Sequence, residues 1–272
     1  MIAAFGSGVL LVFSFPNLNQ GWLAWVALMP LFFALLNRKS MYAFFISFLS
    51  GVVCFGLTFS WMFEVTGYRF FHHALLQLYL GCFLGLFGLA FSYLSRRFSG
   101  TMALLAAPFI WVSLEYIRSN LGFMAYPTTL LAHSQYAYVP IIQIASITGA
   151  YGISFLIVMV NSAFIVLIFS LFYRAGTFKL HHDRINSELG RLGVVGSAGL
   201  LIIVSLMYGL ATISNPIVGE RIKLSVLQGN IEQGKKWDPK NAASIMQTYE
   251  SLTQEVSSKD KPELISISEF LK

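Results

Sequence analysis

The stretch AYGISFLIVMVNSAFIVLIFSLF, residues 150–172, runs without one charged side chain. That is longer than the roughly 20 apolar residues of helix needed to cross the hydrocarbon of a bilayer. Residues 41–63 and 193–213 are also long and uncharged, and residues 74–94 make a fourth such run. Residues 101–114 form a fifth that continues past Glu115 towards Arg118. Two shorter runs, 1–15 and 21–36, flank Pro16-Asn17-Leu18-Asn19 and read as a tight helical hairpin. The sequence thus predicts about seven membrane-spanning helices. Composition agrees: of 272 residues, 56% are hydrophobic and only 11% charged, where soluble chains carry about 25% charged residues. Mean hydropathy is +0.69.

Loop charges orient the spans, because lysine and arginine are retained on the cytoplasmic side. The second, fourth and sixth connections carry Arg38, Lys39, Arg96, Arg97, Arg174, Lys179, Arg184 and Arg191, whereas the odd connections carry only Arg69 and Arg118. This predicts a cytoplasmic amino terminus and a tail on the far side. Met1 opens directly into apolar sequence without a basic segment, so the first helix reads as retained rather than cleaved. The net charge of +6 is scattered over short loops, which argues against nucleic acid as a partner. No repeat relates the two halves.

Beyond Ser214 the composition changes. From Glu220 to Lys272, eight lysines and arginines fall among eight acidic residues, as in a soluble segment. Ile222, Leu224 and Val226 alternate with Lys223 and Ser225, and Gly229-Asn230 ends the run, which reads as strand and turn. Asp238-Pro239 starts a helix whose buried face is Ile245, Tyr249, Leu252 and Val256. Lys261-Pro262 ends it, and Leu264-Ile265-Ser266-Ile267 is a second strand. Such a strand–helix–strand unit buries its sheet only when further elements cover it.

Several stretches resemble one enzyme family in order along the chain. They are Phe13-Ser14-Phe15-Pro16 with Trp22–Leu28, WVSLEYIR at 111–118, Tyr126-Pro127, His133-Ser134-Gln135, and Gln143-Ile144-Ala145. GAYGISFL at 149–156, with Asn161, continues the series. The most specific is VLQGNIEQ at 226–233, followed by Lys236-Trp237-Asp238-Pro239. The arrangement resembles apolipoprotein N-acyltransferase of the nitrilase superfamily, over the amino-terminal half only. The resemblance implies a multi-pass bacterial inner-membrane protein. Residues 1–213 would be a transmembrane all-α bundle, and residues 214–272 the truncated start of a periplasmic, nitrilase-like α/β domain.

The same resemblance implies acyl transfer from a phospholipid, through a cysteine thioester, to the amine of a lipoprotein's diacylglyceryl-cysteine. The chemistry uses a Glu–Lys–Cys triad and neither cofactor nor metal. A thiolate is a strong nucleophile whose thioester stays reactive to amines, a glutamate moves protons, and a lysine stabilises the oxyanion. Glu269 falls at the family's glutamate position, although Ile267 and Ser268 replace the usual Trp-Pro before it. Trp237 matches a loop tryptophan near the active site, and its other reading is an amphipathic ring at the membrane interface. Lys272 is too close to serve as the triad lysine. Cys54 and Cys82 lie mid-span, where a thiolate is disfavoured, so the nucleophile is missing and this chain alone is expected to be inactive.

Glu115 and Arg118, three apart on one helix, can pair. They read either as substrate-binding residues or as a structural ion pair at a span end. Thr128 stands where the family has tryptophan after Tyr-Pro. His72-His73 and His181-His182 lack a ligand set for metal, and Gly81, Gly85 and Gly88 read as helix-packing positions. Three functional readings stay open. The chain is the amino-terminal part of the acyltransferase, with a separate polypeptide supplying the rest; a non-catalytic membrane protein binding lipid or a partner; or a polytopic transporter using Asn161 and Gln77.

Overall fold

The computed structural model describes residues 1–16, 18–65, 67–174, 188–215, 219–236, 238–259 and 261–267. Two compact units result, Met1–Ser60 with Phe71–Asn215 and Trp61–Phe70 with Pro216–Lys272.

The first unit is helical. Its helices are α1 (Ile2–Ser14), α2 (Ala24–Ala27), α3 (Met29–Leu35), α4 (Ser40–Thr58), α5 (Phe70–Arg97), α6 (Gly100–Ser119), α7 (Val139–Ile142), α8 (Ala145–Arg174) and α9 (Glu188–Ser214). Among the described residues, five of these are long and apolar enough to cross a membrane: α4, α5, α6, α8 and α9. The chain is a membrane protein. The hairpin at its start is shorter, with 13 residues in α1 and an apolar segment Gly21–Leu35 opposite it. Helix α8 is the central one, with 67% of its apolar window buried against 22% for α9. It packs on α6 and α9, while α1 packs on α4.

The return arm of the hairpin is broken, and the break has a specific cause. In a continuous helix Leu28 N–H would donate to Ala24 C=O. Instead Leu28 N donates to Asn161 Oδ1 at 2.9 Å, and Asn161 Nδ2 donates to Ala24 O at 2.9 Å and to Ile157 O at 2.9 Å. The Asn161 amide therefore sits inside one rung of the ladder. Ser7 does the same three rungs on: its Oγ donates to Ala27 O at 2.6 Å and accepts from Leu31 N at 2.9 Å. Pro30, which has no N–H to give, stands between the two insertions. Side chains entering the i→i−4 ladder bend helices, so α2 and α3 meet at Leu28. Asn161 and Ser7 are both fully buried. This removes Asn161 from a transport path, since its amide is consumed by the packing of α8 on the hairpin. Gln77 Nε2 bonds His73, whose ring reaches Gly56 O at 3.1 Å, while Gln77 Oε1 has no hydrogen-bond partner among the described residues.

Aromatic rings fill the centre. Phe32 stacks on Phe91 at 5.3 Å and on Phe87 at 5.8 Å, and Phe87 meets Trp111 edge-on at 5.2 Å. Helices α4 and α5 touch almost backbone to backbone. A Cβ at Gly81 would lie 2.9 Å from Val52, and one at Gly88 would strike the Ser47 side chain and lie 2.6 Å from Ala43 O. These glycines are packing positions, as small residues between membrane helices generally are.

The second unit holds β1 (Leu224–Leu227), α10 (Gln233–Lys236), α11 (Ala242–Lys259) and β2 (Leu264–Ile267). The strands pair in parallel, Leu224 with Leu264 through Leu227 with Ile267, which requires a crossover such as α11. Asp238 caps the turn before α11 by accepting from Lys240 N at 3.0 Å. Ile245 and Tyr249 are buried, and Leu252 and Val256 half-buried. In the VLQGN stretch, Gly229 is required by close approach, because a Cβ there would lie 2.9 Å from the Tyr249 ring. Leu224, Val226 and Leu264 share the other face of the sheet and remain exposed.

Replacing Asn161 by Leu orphans Leu28 N–H and Ala24 C=O in a buried site. Each such group costs about 1–3 kcal/mol, against about 0.6 for an average interhelical side-chain hydrogen bond in a membrane protein. Asn161→Leu is therefore expected to lower stability by a few kcal/mol in detergent unfolding. A loss near the average value would show that the ladder is not wedged by this side chain.

Candidate functional site

Trp111, Glu115 and Arg118 recur at helical spacing and share one face of α6. That face turns inward, leaving the three residues 7%, 6% and 3% exposed. Glu115 does not use its acceptors on Arg118. Its Oε1 accepts from Trp111 Nε1 at 2.9 Å and from the main-chain N–H of Leu131 at 2.8 Å. Arg118 Nη2 donates to Thr129 O at 3.3 Å, and the guanidinium lies over the Phe55 ring, 5.5 Å from its centre. The direct pair expected from the i, i+3 spacing is thus replaced by two parallel ties to the segment after α6. The expectation fails because spacing on a helix shows which side chains are neighbours but not the competing groups 11 to 16 residues further on.

That segment is held along its whole length. Tyr126 N donates to Arg118 O at 2.8 Å, so the chain folds back onto the last turn of α6. Thr129 takes a left-handed conformation, φ 56°. The 3-10 turn Leu131–Gln135 follows, with Ala132 N donating to Ser154 Oγ on α8 at 3.0 Å. Ser154 also stands near the Glu115 carboxylate. Gln135 is fully buried and closes the circuit. Its Nε2 donates to Gly21 O at 2.8 Å, and its Oε1 accepts from Trp25 Nε1 at 2.9 Å. One polar cluster therefore joins α6, α8, the 129–135 segment and the opening hairpin. Gln135, Trp25 and Ser154 carry as much of it as Glu115 does. Their signal in the sequence is that they fall in Trp22–Leu28, His133-Ser134-Gln135 and GAYGISFL, stretches that carry the family resemblance but do not name their partners.

His133 extends from this segment. Loss of hydration against the bundle, and secondly the charge of Arg118, hold its imidazole below the ordinary histidine range. The cluster offers a carboxylate, a guanidinium and an imidazole but no nucleophile. Cys54 is buried on α4, next in sequence to the Phe55 whose ring meets Arg118, and Cys82 is exposed on α5. Trp237, Glu269, Lys272 and His181-His182 lie outside the described residues.

Two substitutions test this geometry. Glu115→Gln keeps an acceptor for Trp111 and Leu131 and should be tolerated, whereas Glu115→Leu leaves two buried donors unpaired at about 1–3 kcal/mol each. Equal thermal stability of the two variants would contradict the bonding pattern. Removing the neighbouring positive charge in Arg118→Leu should raise the His133 pKa towards its ordinary value, read from imidazole NMR shifts. An unchanged titration would place Arg118 electrically remote from it.

Comparison with known proteins fits this arrangement. Residues 7–163 match the family model described as the apolipoprotein N-acyltransferase N-terminal domain, a span that takes in most of the hairpin, the cluster and Asn161. An apolipoprotein N-acyltransferase of Geobacter metallireducens is 32% identical over 266 residues, 95% of this chain and 49% of that protein. Those of Haemophilus influenzae and Nitrosomonas europaea are 31% and 30% identical, over 92% and 95% of this chain. The chain spans about half the length of the curated relatives it matches. It belongs to the apolipoprotein N-acyltransferase N-terminal domain family.

Proposed function

We propose that this chain is the membrane half of an apolipoprotein N-acyltransferase, carrying an acyl chain from phospholipid to the N-terminal diacylglyceryl-cysteine of lipoproteins. The observation that carries the reading is the family match over residues 7–163, continued by relatives aligned over 95% of the chain. In this reading residues 1–213 are the transmembrane domain and residues 214–272 the start of a nitrilase-like domain. The hairpin α1 with α2–α3 supplies two spans beside the five long helices, making seven. The charge pattern supports a cytoplasmic amino terminus in the inner membrane, with residues 214–272 on the periplasmic side. The parallel β1–α11–β2 unit, with Leu224, Val226 and Leu264 uncovered, suits a sheet that larger α/β domains cover on both faces.

The reaction divides into two displacements. A cysteine thiolate attacks the phospholipid ester carbonyl, forming a thioester and releasing lysophospholipid. The lipoprotein α-amine then attacks the thioester, forming the amide and returning the thiol. Glu269 is assigned the proton transfers and Trp237 a place beside the substrate. The lysine that stabilises each oxyanion and the nucleophilic cysteine are assigned to sequence outside these 272 residues, on the same or a separate polypeptide. Glu115 and Arg118 are assigned to binding through the 129–135 segment they hold, at the membrane face where lipid substrates arrive.

The test joins this chain to the carboxyl-terminal half of the Geobacter metallireducens relative. The fusion is then supplied with acyl-labelled phospholipid and a diacylglyceryl lipopeptide. Labelled lipopeptide is expected from the fusion, none from the 272-residue chain, and none from the fusion bearing Glu269→Ala. An inactive fusion beside an active intact relative would overturn the assignment, and so would full activity of the Glu269→Ala fusion.

A further inference from the structure

Residues 119–173 include no lysine, arginine, aspartate or glutamate, although residues 120–144 are largely the connection between α6 and α8. Soluble sequence ordinarily carries about 25% charged residues. The first part of this connection also turns an apolar tip outward. Phe123 is 100% exposed, and Leu121 and Met124 beside it are 42% and 43% exposed. The tip is a bonded turn rather than a loose excursion. Asn120 Nδ2 donates to Tyr116 O, Met124 N to Leu121 O and Ala125 N to Gly122 O, and Tyr126 N returns to Arg118 O. Tyr79 on α5 holds it from the side, its hydroxyl donating to Met124 O at 2.7 Å.

We propose that residues 121–124 are a lipid anchor, with Phe123 seated among acyl chains at the boundary between hydrocarbon and headgroups. Two heights place the tip there. Arg96 and Arg97 mark the charged end of α5, and Tyr79 lies about 26 Å from Arg96 along that helix at 1.5 Å per residue. Its side chain leans further towards the helix start, which brings Met124 close to the far edge of about 30 Å of hydrocarbon. Helix α6 gives the same height independently, since its 20 residues rise about 30 Å before the turn begins. Helix tilt lowers both heights and sets the tip deeper. The apolar surface is also continuous with the end of the span, where Tyr116 and Ile117 are exposed on α6. Main chain at this depth must have its polar groups bonded, and the turn's own hydrogen bonds, with that from Tyr79, meet much of this need. The anchor would fix the height at which the chain turns back to Arg118 and enters the 129–135 segment. The inference needs only that α5 and α6 cross a membrane, so its failure would leave the acyltransferase reading standing.

Two measurements on the 272-residue chain in phosphatidylethanolamine–phosphatidylglycerol nanodiscs decide it. In the first, a nitroxide is attached at Phe123→Cys after Cys54→Ala and Cys82→Ala. Its collisions are compared with dissolved oxygen, which concentrates in hydrocarbon, and with a water-soluble nickel chelate. Leu86→Cys, at an exposed position within α5, and Ser244→Cys, at an exposed position on α11, supply the lipid and water references. Oxygen collisions at position 123 should exceed nickel collisions several-fold, as at position 86. The pattern of position 244 would put the tip in water, and few collisions with either reagent would put it under protein; both results would overturn the anchor. The second measurement uses the unaltered chain and a phospholipid with a diazirine on its acyl chain. Light should attach this lipid within residues 121–124 as well as at the exposed Leu200 of α9, and labelling of Leu200 without the tip would overturn the proposal.

Discussion

A main-chain N–H or C=O in hydrocarbon has no water to turn to, and this one constraint organises the helical unit. It is met in an unusual way at Leu28, where the ladder is opened and resealed by side chains from elsewhere. Asn161 offers a donor and an acceptor in one planar group, which is what a peptide rung offers, so it can replace the rung it interrupts. Ser7 does the same with one hydroxyl. Helix α1, the broken arm α2–α3 and the central helix α8 are thereby tied through the backbone rather than through apolar contact alone. In lipid that distinction matters, because one apolar surface gains little by leaving a lipid tail for another.

The polar cluster at the carboxyl-terminal end of α6 obeys the same constraint with charged groups. A buried ion needs hydrogen-bond partners, and here the returning main chain supplies two of them, Leu131 N–H to Glu115 and Thr129 C=O to Arg118. The carboxylate and guanidinium act less as a pair than as two hands on one strap. The strap runs on through Ala132 and Gln135 to α8 and the hairpin, so its shape is set by every helix it touches.

Some of this is legible in the sequence and some is not. The five long spans are, because an uncharged run from 150 to 172 has few other fates. The β1–α11–β2 unit is also legible, through the alternation at 222–226, the Asp238-Pro239 start and the spacing of Ile245 and Tyr249. The break at Leu28 is not, although Pro30 marks the neighbourhood, because the groups that open the ladder lie 24 and 133 residues from their partners. Glu115 and Arg118 show the same limit. Their shared helix face is plain from the spacing, while their real partners depend on how the chain returns after Tyr126. Long-range hydrogen bonds leave no periodic trace, and membrane packing relies on them.

Gly149 adds a consequence for the fit of the chain to its bilayer. Its φ of 65° and ψ of −174° interrupt α8 four residues after its start, a conformation that costs glycine little. Unbroken, 30 residues would make a rod of about 45 Å at 1.5 Å per residue. That is far longer than the roughly 30 Å of hydrocarbon, and a stiff rod meets such a mismatch by tilting. The apolar stretch 150–171 beyond the bend measures about 33 Å by the same rise, close to the hydrocarbon thickness. The bend thus leaves beyond it an apolar stretch close in length to the hydrocarbon thickness, and lets the first turn of α8 follow a different direction.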